Sequence, residues 1–352
     1  MKPSKTYIIL IIPLILVIYL LLNRAGFKTD LYANGNSNSS VPLLVPASKT
    51  YVNGSHQISD FYISSDEAIW AVGYDGQDSR RLFLSKNKGQ SWERISVDSS
   101  GYIFNSISFL DKDFGFITGN NGTYLRTLDG GRFWKEVRLE MDVDFTTADF
   151  LSPSFGFIGG KIKRPNNSEN REPLGVKILY TEDGGNSWKP CYEDQESTSL
   201  FNIKVLNSGA IVVVTPEKGI LKSDDKAKTW KNVLSREARI TSIRFITDQV
   251  AFALSDTGEI IKSTDQGSTW HKISTIGSPS TDSFWWDLDF FDEKKGIVVG
   301  DKGTYAFTID GGITWKSTTL DKPDNLSRVR VKKKLGLVIG LSNIYQIHDF
   351  NN

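Results

Sequence analysis

The chain has 352 residues, 39% of them hydrophobic, with 42 basic against 41 acidic side chains and a net charge of +1. That length buries a large core, and so even a charge balance excludes the basic footprint that nucleic-acid binding demands. A single cysteine, Cys191, excludes an internal disulfide; His56, His271 and His348 are scattered outside any Cys/His cluster, so neither a metal nor a cofactor is expected.

At the N-terminus, Lys2 and Lys5 precede an uncharged apolar run, Tyr7–Leu22. Its sixteen residues fall short of the ~20 that usually span a bilayer. No small-x-small cleavage site and no lipid-accepting cysteine follows in Asn23–Lys28. The expectation is an uncleaved membrane anchor over residues 1–28, its lysine-bearing end cytoplasmic and the remainder exported. A cleaved, secreted form is the alternative, and Arg24 and Lys28 on the far side oppose the stated orientation. Asn34–Ser40, NGNSNSS, reads as part of a flexible linker over 29–42, ahead of a domain over 43–352.

Within that domain an octapeptide recurs six times: SKNKGQSW, TLDGGRFW, TEDGGNSW, SDDKAKTW, STDQGSTW and TIDGGITW. Its third position is Asn87, Asp129, Asp183, Asp225, Asp265 and Asp310. The fifth is Gly89, Gly131, Gly185, Ala227, Gly267 and Gly312, and the eighth is Trp92, Trp134, Trp188, Trp230, Trp270 and Trp315. Successive tryptophans stand 42, 54, 42, 40 and 45 residues apart, the period of a repeat architecture. Upstream of each lies a second pattern, clearest over Ile107–Trp134, that parses as four short strands separated by turn residues. Four strands per unit with almost no helical periodicity predict an all-β propeller.

Apolar pairs mark seven innermost strands: Phe61/Ile63, Ile107/Phe109, Ala148/Phe150, Ile203/Val205, Ile243/Phe245, Leu288/Phe290 and Val329/Val331. The seventh unit stops after three strands, so Leu43–Val52 is expected to supply its fourth and close the ring. The octapeptide reads as a tight hairpin. Its Asp accepts backbone N–H groups, its Gly supplies positive φ, and its Trp packs on a neighbouring blade. Six copies dispersed around a ring cannot converge on one ligand, so these residues are structural.

Function is expected on the opposite face, in the loops Tyr74–Arg81, Lys161–Gly175 and Ile276–Trp286. Consecutive aromatics in a strand face opposite ways, so Trp285 or Trp286, with Asp287 and Asp282 beside them, offer a contact for protein or sugar. Arg80, Arg81, Lys161, Lys163, Arg164 and Arg171 are candidates for a basic patch that would meet an acidic partner. On the inner strands Asp149, Lys204, Arg244, Asp289 and Arg330, with Asp60 in the first unit, place opposite charges on neighbouring blades. Such pairs set register, or line a ligand-binding channel.

The hairpin resembles the Asp-box, or bacterial neuraminidase, repeat. The longer unit at Phe109–Trp134 resembles the photosystem II stability/assembly factor-like family of seven-bladed propellers. That resemblance implies a non-enzymatic protein of the thylakoid lumen or periplasmic side that binds a membrane-protein partner. The contrasting reading is a sialidase-type glycoside hydrolase or glycan-binding propeller. Sialidases carry Arg-Ile-Pro ahead of their first Asp box and have six blades; the nearest string here, Lys163-Arg164-Pro165, lacks the isoleucine and follows two Asp boxes. The expected function is therefore a membrane-tethered, extracytoplasmic scaffold or assembly factor.

Overall fold

The computed structural model describes residues 42–47, 56–75, 80–97, 103–164, 173–235, 239–277, 283–341 and 343–348. The expected anchor over 1–28 and nearly all of the linker lie outside these residues. Among the described residues no helix is long and apolar enough to cross a membrane.

Seven separate four-stranded antiparallel sheets make up an all-β, seven-bladed propeller. In chain order the blades cover residues 56–95, 104–138, 143–194, 202–234, 240–275, 285–319 and 326–348, the last taking Leu43–Pro46 as its outer strand. That strand pairs antiparallel with Ile344–His348, Leu43 opposite His348 and Pro46 opposite Tyr345. Seven apolar clusters are wedged between the blades. The two middle strands of a blade face neighbours on both sides, which is why Gly115–Gly119 or Ile211–Thr215 reads as an unbroken buried run while the outer strands stay largely exposed.

The octapeptide turns show why so little sequence suffices for a hairpin. In TLDGGRFW, Thr127 Oγ1 donates to Asp129 Oδ1 at 2.8 Å and accepts the Gly131 amide at 2.9 Å, while Asp129 accepts the Phe133 amide at 3.0 Å. The Asp265 and Asp310 turns repeat this pattern. Gly131 has φ 86°, and Ala227 adopts φ 66° in the one copy that lacks the glycine. Asn87 substitutes for the aspartate without loss of bonding: its Oδ1 accepts the Ser91 amide and its Nδ2 donates to Ser91 Oγ. The Thr229 hydroxyl and amide hold the Asp225 carboxyl down to about 2, and against the opposing effect of burial Thr269 does the same for Asp265.

Each tryptophan reaches the preceding blade. Trp134 meets Trp70 edge-on at 6.0 Å, Trp188 meets Tyr124 at 5.8 Å and Trp230 meets Tyr192 at 5.3 Å. Trp92, Trp270 and Trp315 donate their indole N–H to the glycine carbonyl of their own turn, and Trp188 donates to Tyr124 Oη. The buried Trp134 and Trp230 Nε1 groups have no hydrogen-bond partner.

Two outcomes are expected of the turns. Emptying the buried Trp270 site by Trp270→Ala should lower unfolding free energy by roughly 3–5 kcal/mol in chemical denaturation. A carboxylate with a depressed native pKa contributes stability above its unfolded pKa and loses it as pH falls through the native one. Melting temperature should therefore drop between about pH 4 and pH 2. Asp265→Asn, which copies the Asn87 turn, should leave melting at pH 7 nearly unchanged and shrink that acid-side drop.

Candidate functional site at the channel mouth

An innermost strand has a neighbour on one side only; its other edge lines the central channel with unpaired N–H groups. The neighbouring blade satisfies them with side chains. Asp149 Oδ2 accepts the Val205 amide at 2.8 Å, Asp287 Oδ2 that of Val329 at 3.1 Å and Asp289 Oδ2 that of Val331 at 2.9 Å. Asp60 Oδ2 and Thr147 Oγ1 serve Ile107 and Ile203 in the same way, each at 3.3 Å.

Buried carboxylates need compensating charge, and the arginines supply it. Arg244 Nη2 lies 3.1 Å from Asp287, and Arg330 bridges Asp287 at 2.7 Å and Asp60 at 3.0 Å. Lys204 meets Asp149 at 2.8 Å. Opposite charges thus meet between blades three and four, five and six, and six and seven, but Arg330 pairs with Asp287 in place of the expected Asp289, and a further ion pair joins blades seven and one through Asp60. Although burial opposes it, Arg244, Arg330 and Arg328 pull the Asp287 carboxyl below the usual carboxylate range; for Asp289 burial prevails and its pKa rises.

Six of the seven innermost strands share a second feature, a bulge near their first residues. The register slips at Ser59, Asn105, Thr146, Thr241, Trp286 and Ser327. A bulge re-aims its side chain, and four of these residues turn into the channel mouth. Asn105 Nδ2 donates to the Phe145 carbonyl, Thr146 to that of Leu200 and Thr241 to that of Trp285, each in the next blade. Trp286 has no such duty: its indole N–H donates to Asp301 at 2.6 Å, and its ring stands 6.1 Å from that of exposed Phe284.

The result is a polar cavity of about 330 Å³ on the face opposite the octapeptide turns. Four cations, Lys161, Arg244, Arg328 and Arg330, line it against two carboxylates, Asp60 and Asp287. Those carboxylates are committed to Arg244 and Arg330, whereas Arg328 and Lys161 make no ion pair among the described residues; Arg328 donates to the Ser327 carbonyl at 2.9 Å. The mouth thus presents a surplus of positive charge, hydroxyl and amide groups, and one aromatic platform. That chemistry suits a carboxylate or an extended polypeptide rather than an apolar ligand.

The sequence-derived candidates divide. Trp286, 37% exposed, and Asp287 reach the cavity. Trp285, 1% exposed, is a core residue packed with Ile276 and Leu254 and is no surface contact. Asp282 and Arg171 lie outside the described residues, as does the side chain of Arg80. Half-buried Arg81 belongs to blade one, while Lys163, whose Nζ donates to Asn121, and Arg164 follow a strand of blade three; blade two separates the two sets, so among the described residues no single patch forms. Arg328 was not apparent in the sequence. It follows the Ser327 bulge and keeps regular register with Val329 and Arg330, so alternation puts it on the same face as Arg330; the signal available was that Arg-x-Arg spacing. Among the described residues no group of His, Cys, Asp and Glu is arranged to hold a metal.

These features define a seven-bladed Asp-box propeller with one cationic channel mouth. The family profile described as Photosynthesis system II assembly factor YCF48 matches residues 39–128, 84–238 and 276–349, and the chain belongs to that family. It is 23% identical over 322 residues to the Photosystem II assembly lipoprotein Ycf48 of Synechococcus sp. (strain CC9902), covering 77% of this chain and 92% of that protein. It is 27% identical over 174 residues to the chloroplastic Photosystem II stability/assembly factor HCF136 of Oryza sativa subsp. japonica, covering 47% and 39%. Among solved structures, one described as YCF48 bound to D1 peptide superposes with TM-score 0.65 at 20% identity, over 90% of this chain and 97% of that one. The WD40 propeller domain of Doa1 gives 0.60 at 15% identity, over 87% and 97%. At these identities the structural likeness speaks for fold alone. The named relatives are assembly or stability factors, not enzymes.

Removing Asp287 leaves Arg244 only the more distant Asp289 at 3.9 Å, Arg330 only Asp60, and the Val329 amide without its acceptor, so Asp287→Ala should cost about 3–5 kcal/mol in urea unfolding. Asp149→Ala, whose partner Lys204 is more exposed, should cost clearly less.

Proposed function

We propose that this chain is a membrane-tethered, extracytoplasmic, non-catalytic assembly factor that holds an extended segment of a client membrane protein at its channel mouth. The observation that carries the reading is the mouth itself, where Arg328 and Lys161 make no ion pair among the described residues and stand at the same mouth as the Phe284–Trp286 pair. Family membership supports it, and so does the peptide held by the relative described as YCF48 bound to D1 peptide. The apolar run Tyr7–Leu22 supports the tether, and relatives named as a lipoprotein and as chloroplastic support an exported location. A carboxylate-bearing segment would meet Arg328 as a charge-assisted acceptor and lay its side chains against the aromatic pair.

The test is a photo-crosslinking aromatic placed at Phe284, used in intact membranes and followed by mass spectrometry, with a control at Lys228 on the opposite face. Adducts to a membrane protein are expected at 284 and not at 228. Arg328→Gln with Lys161→Gln should lower their yield about tenfold while melting stays unchanged. Equal adducts at both positions would overturn the reading, as would turnover of fluorogenic glycosides by the purified protein.

A further inference from the structure

The face carrying the octapeptide turns has a property that peptide holding at the mouth leaves unused. Of ten exposed large apolar side chains among the described residues, six lie on this face: Leu43, Leu110, Leu128, Phe133, Ile309 and Ile313. The last four are turn residues, each 62–69% exposed. The hairpin is fastened by its first, third, fifth and eighth positions, so these intervening side chains have no part in holding it. Their distribution is uneven. Apolar side chains occupy the projecting positions in blades two and six, whereas blades three, four and five place Glu182, Asp224, Lys228 and Thr264 there.

Blades six and two flank blades seven and one, the arc where the chain enters the propeller. Leu43 pairs with His348, the last residue of its strand, so the polypeptide arrives on the octapeptide face. The apolar run ending at Leu22 lies close upstream. Charge follows the same arc. Lys88 and Lys112 are paired with Glu67 and Asp113, but Arg132, Lys294, Lys316 and Lys334 make no ion pair among the described residues. Asp129 and Asp310, the turn carboxylates of blades two and six, are occupied within their own turns.

We propose that the octapeptide face rests on a lipid surface along the arc of blades six, seven, one and two. Leu128, Phe133, Ile309 and Ile313 enter the headgroup boundary, and the unpaired basic side chains meet anionic headgroups. This rests on the tether proposed above and gives it a direction: the channel mouth points away from the bilayer. Apolar tips interspersed with unpaired basic residues are the composition of an interfacial contact. Of the exposed carboxylates on the same arc, Asp66, Asp111 and Asp292 accept backbone amides of their own hairpins, and Glu293 stands beside Lys294.

The full chain reconstituted into vesicles of two parts phosphatidylcholine to one part phosphatidylglycerol, with acyl-chain spin labels, tests the orientation. An environment-sensitive thiol probe is attached at Phe133→Cys, Ile313→Cys, Lys228→Cys or Leu341→Cys. Native Cys191 donates to the Ile178 carbonyl and burial pushes its thiol up to about 12, so it does not compete at neutral pH. Quenching at 133 and 313 is expected to exceed that at 228 and 341 about threefold or more. Equal quenching at all four positions in a chain that floats with the vesicles would overturn the orientation and leave the tether intact. A chain that does not float overturns both. Concentration-dependent shielding of the 133 probe without lipid would assign the face to a second copy of the chain and also reject the lipid contact.

Discussion

Seven innermost strands each turn one unpaired edge toward the same channel, and the rest of the molecule is arranged to satisfy those edges. Water in a narrow channel competes poorly for amides that point along its wall, so the neighbouring blade supplies the acceptors. Carboxylates do this best because one group can accept an amide and an arginine together. Asp287 takes the Val329 amide, the Ser242 hydroxyl and two guanidinium groups. Each such contact fixes the rotation of one blade on the next. Closure is achieved twice: Leu43–Pro46 completes the seventh sheet at the rim, and Arg330 reaches Asp60 across the first and last blades at the centre.

The two faces consequently differ in what they leave over. On the octapeptide face each turn consumes its own polar groups and is further fastened to the preceding blade. Arg126 donates to Gly184 and Asn186, Lys222 to Ser268 at 2.7 Å, and Ser274 to Gly312 at 2.5 Å. The hydroxyls and carboxylates that fasten the turns are thus already engaged, which leaves the projecting side chains at the second, sixth and seventh positions to interact. At the mouth the bulges put polar side chains and one tryptophan into a cavity with more cation than anion. Recognition chemistry therefore resides on the face where strand geometry is irregular.

What the sequence discloses depends on how far apart the interacting residues are. The hairpin was readable because all its bonds fall within eight residues, and the blade count because apolar pairs recur at every inner strand. Position one of the turn received no role from sequence, although its hydroxyl is the hub that joins the aspartate to the fifth amide. The ion network was half readable: charges between the apolar pairs of neighbouring blades could be matched, whereas Asp287 and Arg328 stand one residue ahead of those pairs, in regular register but outside the positions compared. For Trp285 and Trp286 the opposition of consecutive side chains was certain, while which one faced the core depended on the bulge at Trp286.

The mouth is also lopsided, and this bears on how a ligand would lie. Arg244, Arg328, Arg330, Asp287, Phe284 and Trp286 all come from blades five to seven. Blades two and three contribute mainly neutral groups, Asn105, Ser106, Thr146 and Thr147, with Lys161 as their lone cation. An extended segment crossing the mouth therefore encounters charge and aromatic surface on one side and hydrogen-bonding groups on the other. Such an arrangement gives a polypeptide a direction as well as a place. The propeller fold is shared with proteins of unrelated function, so the proposed binding role rests on this asymmetry, built on the closing half of the ring, and not on the disc itself.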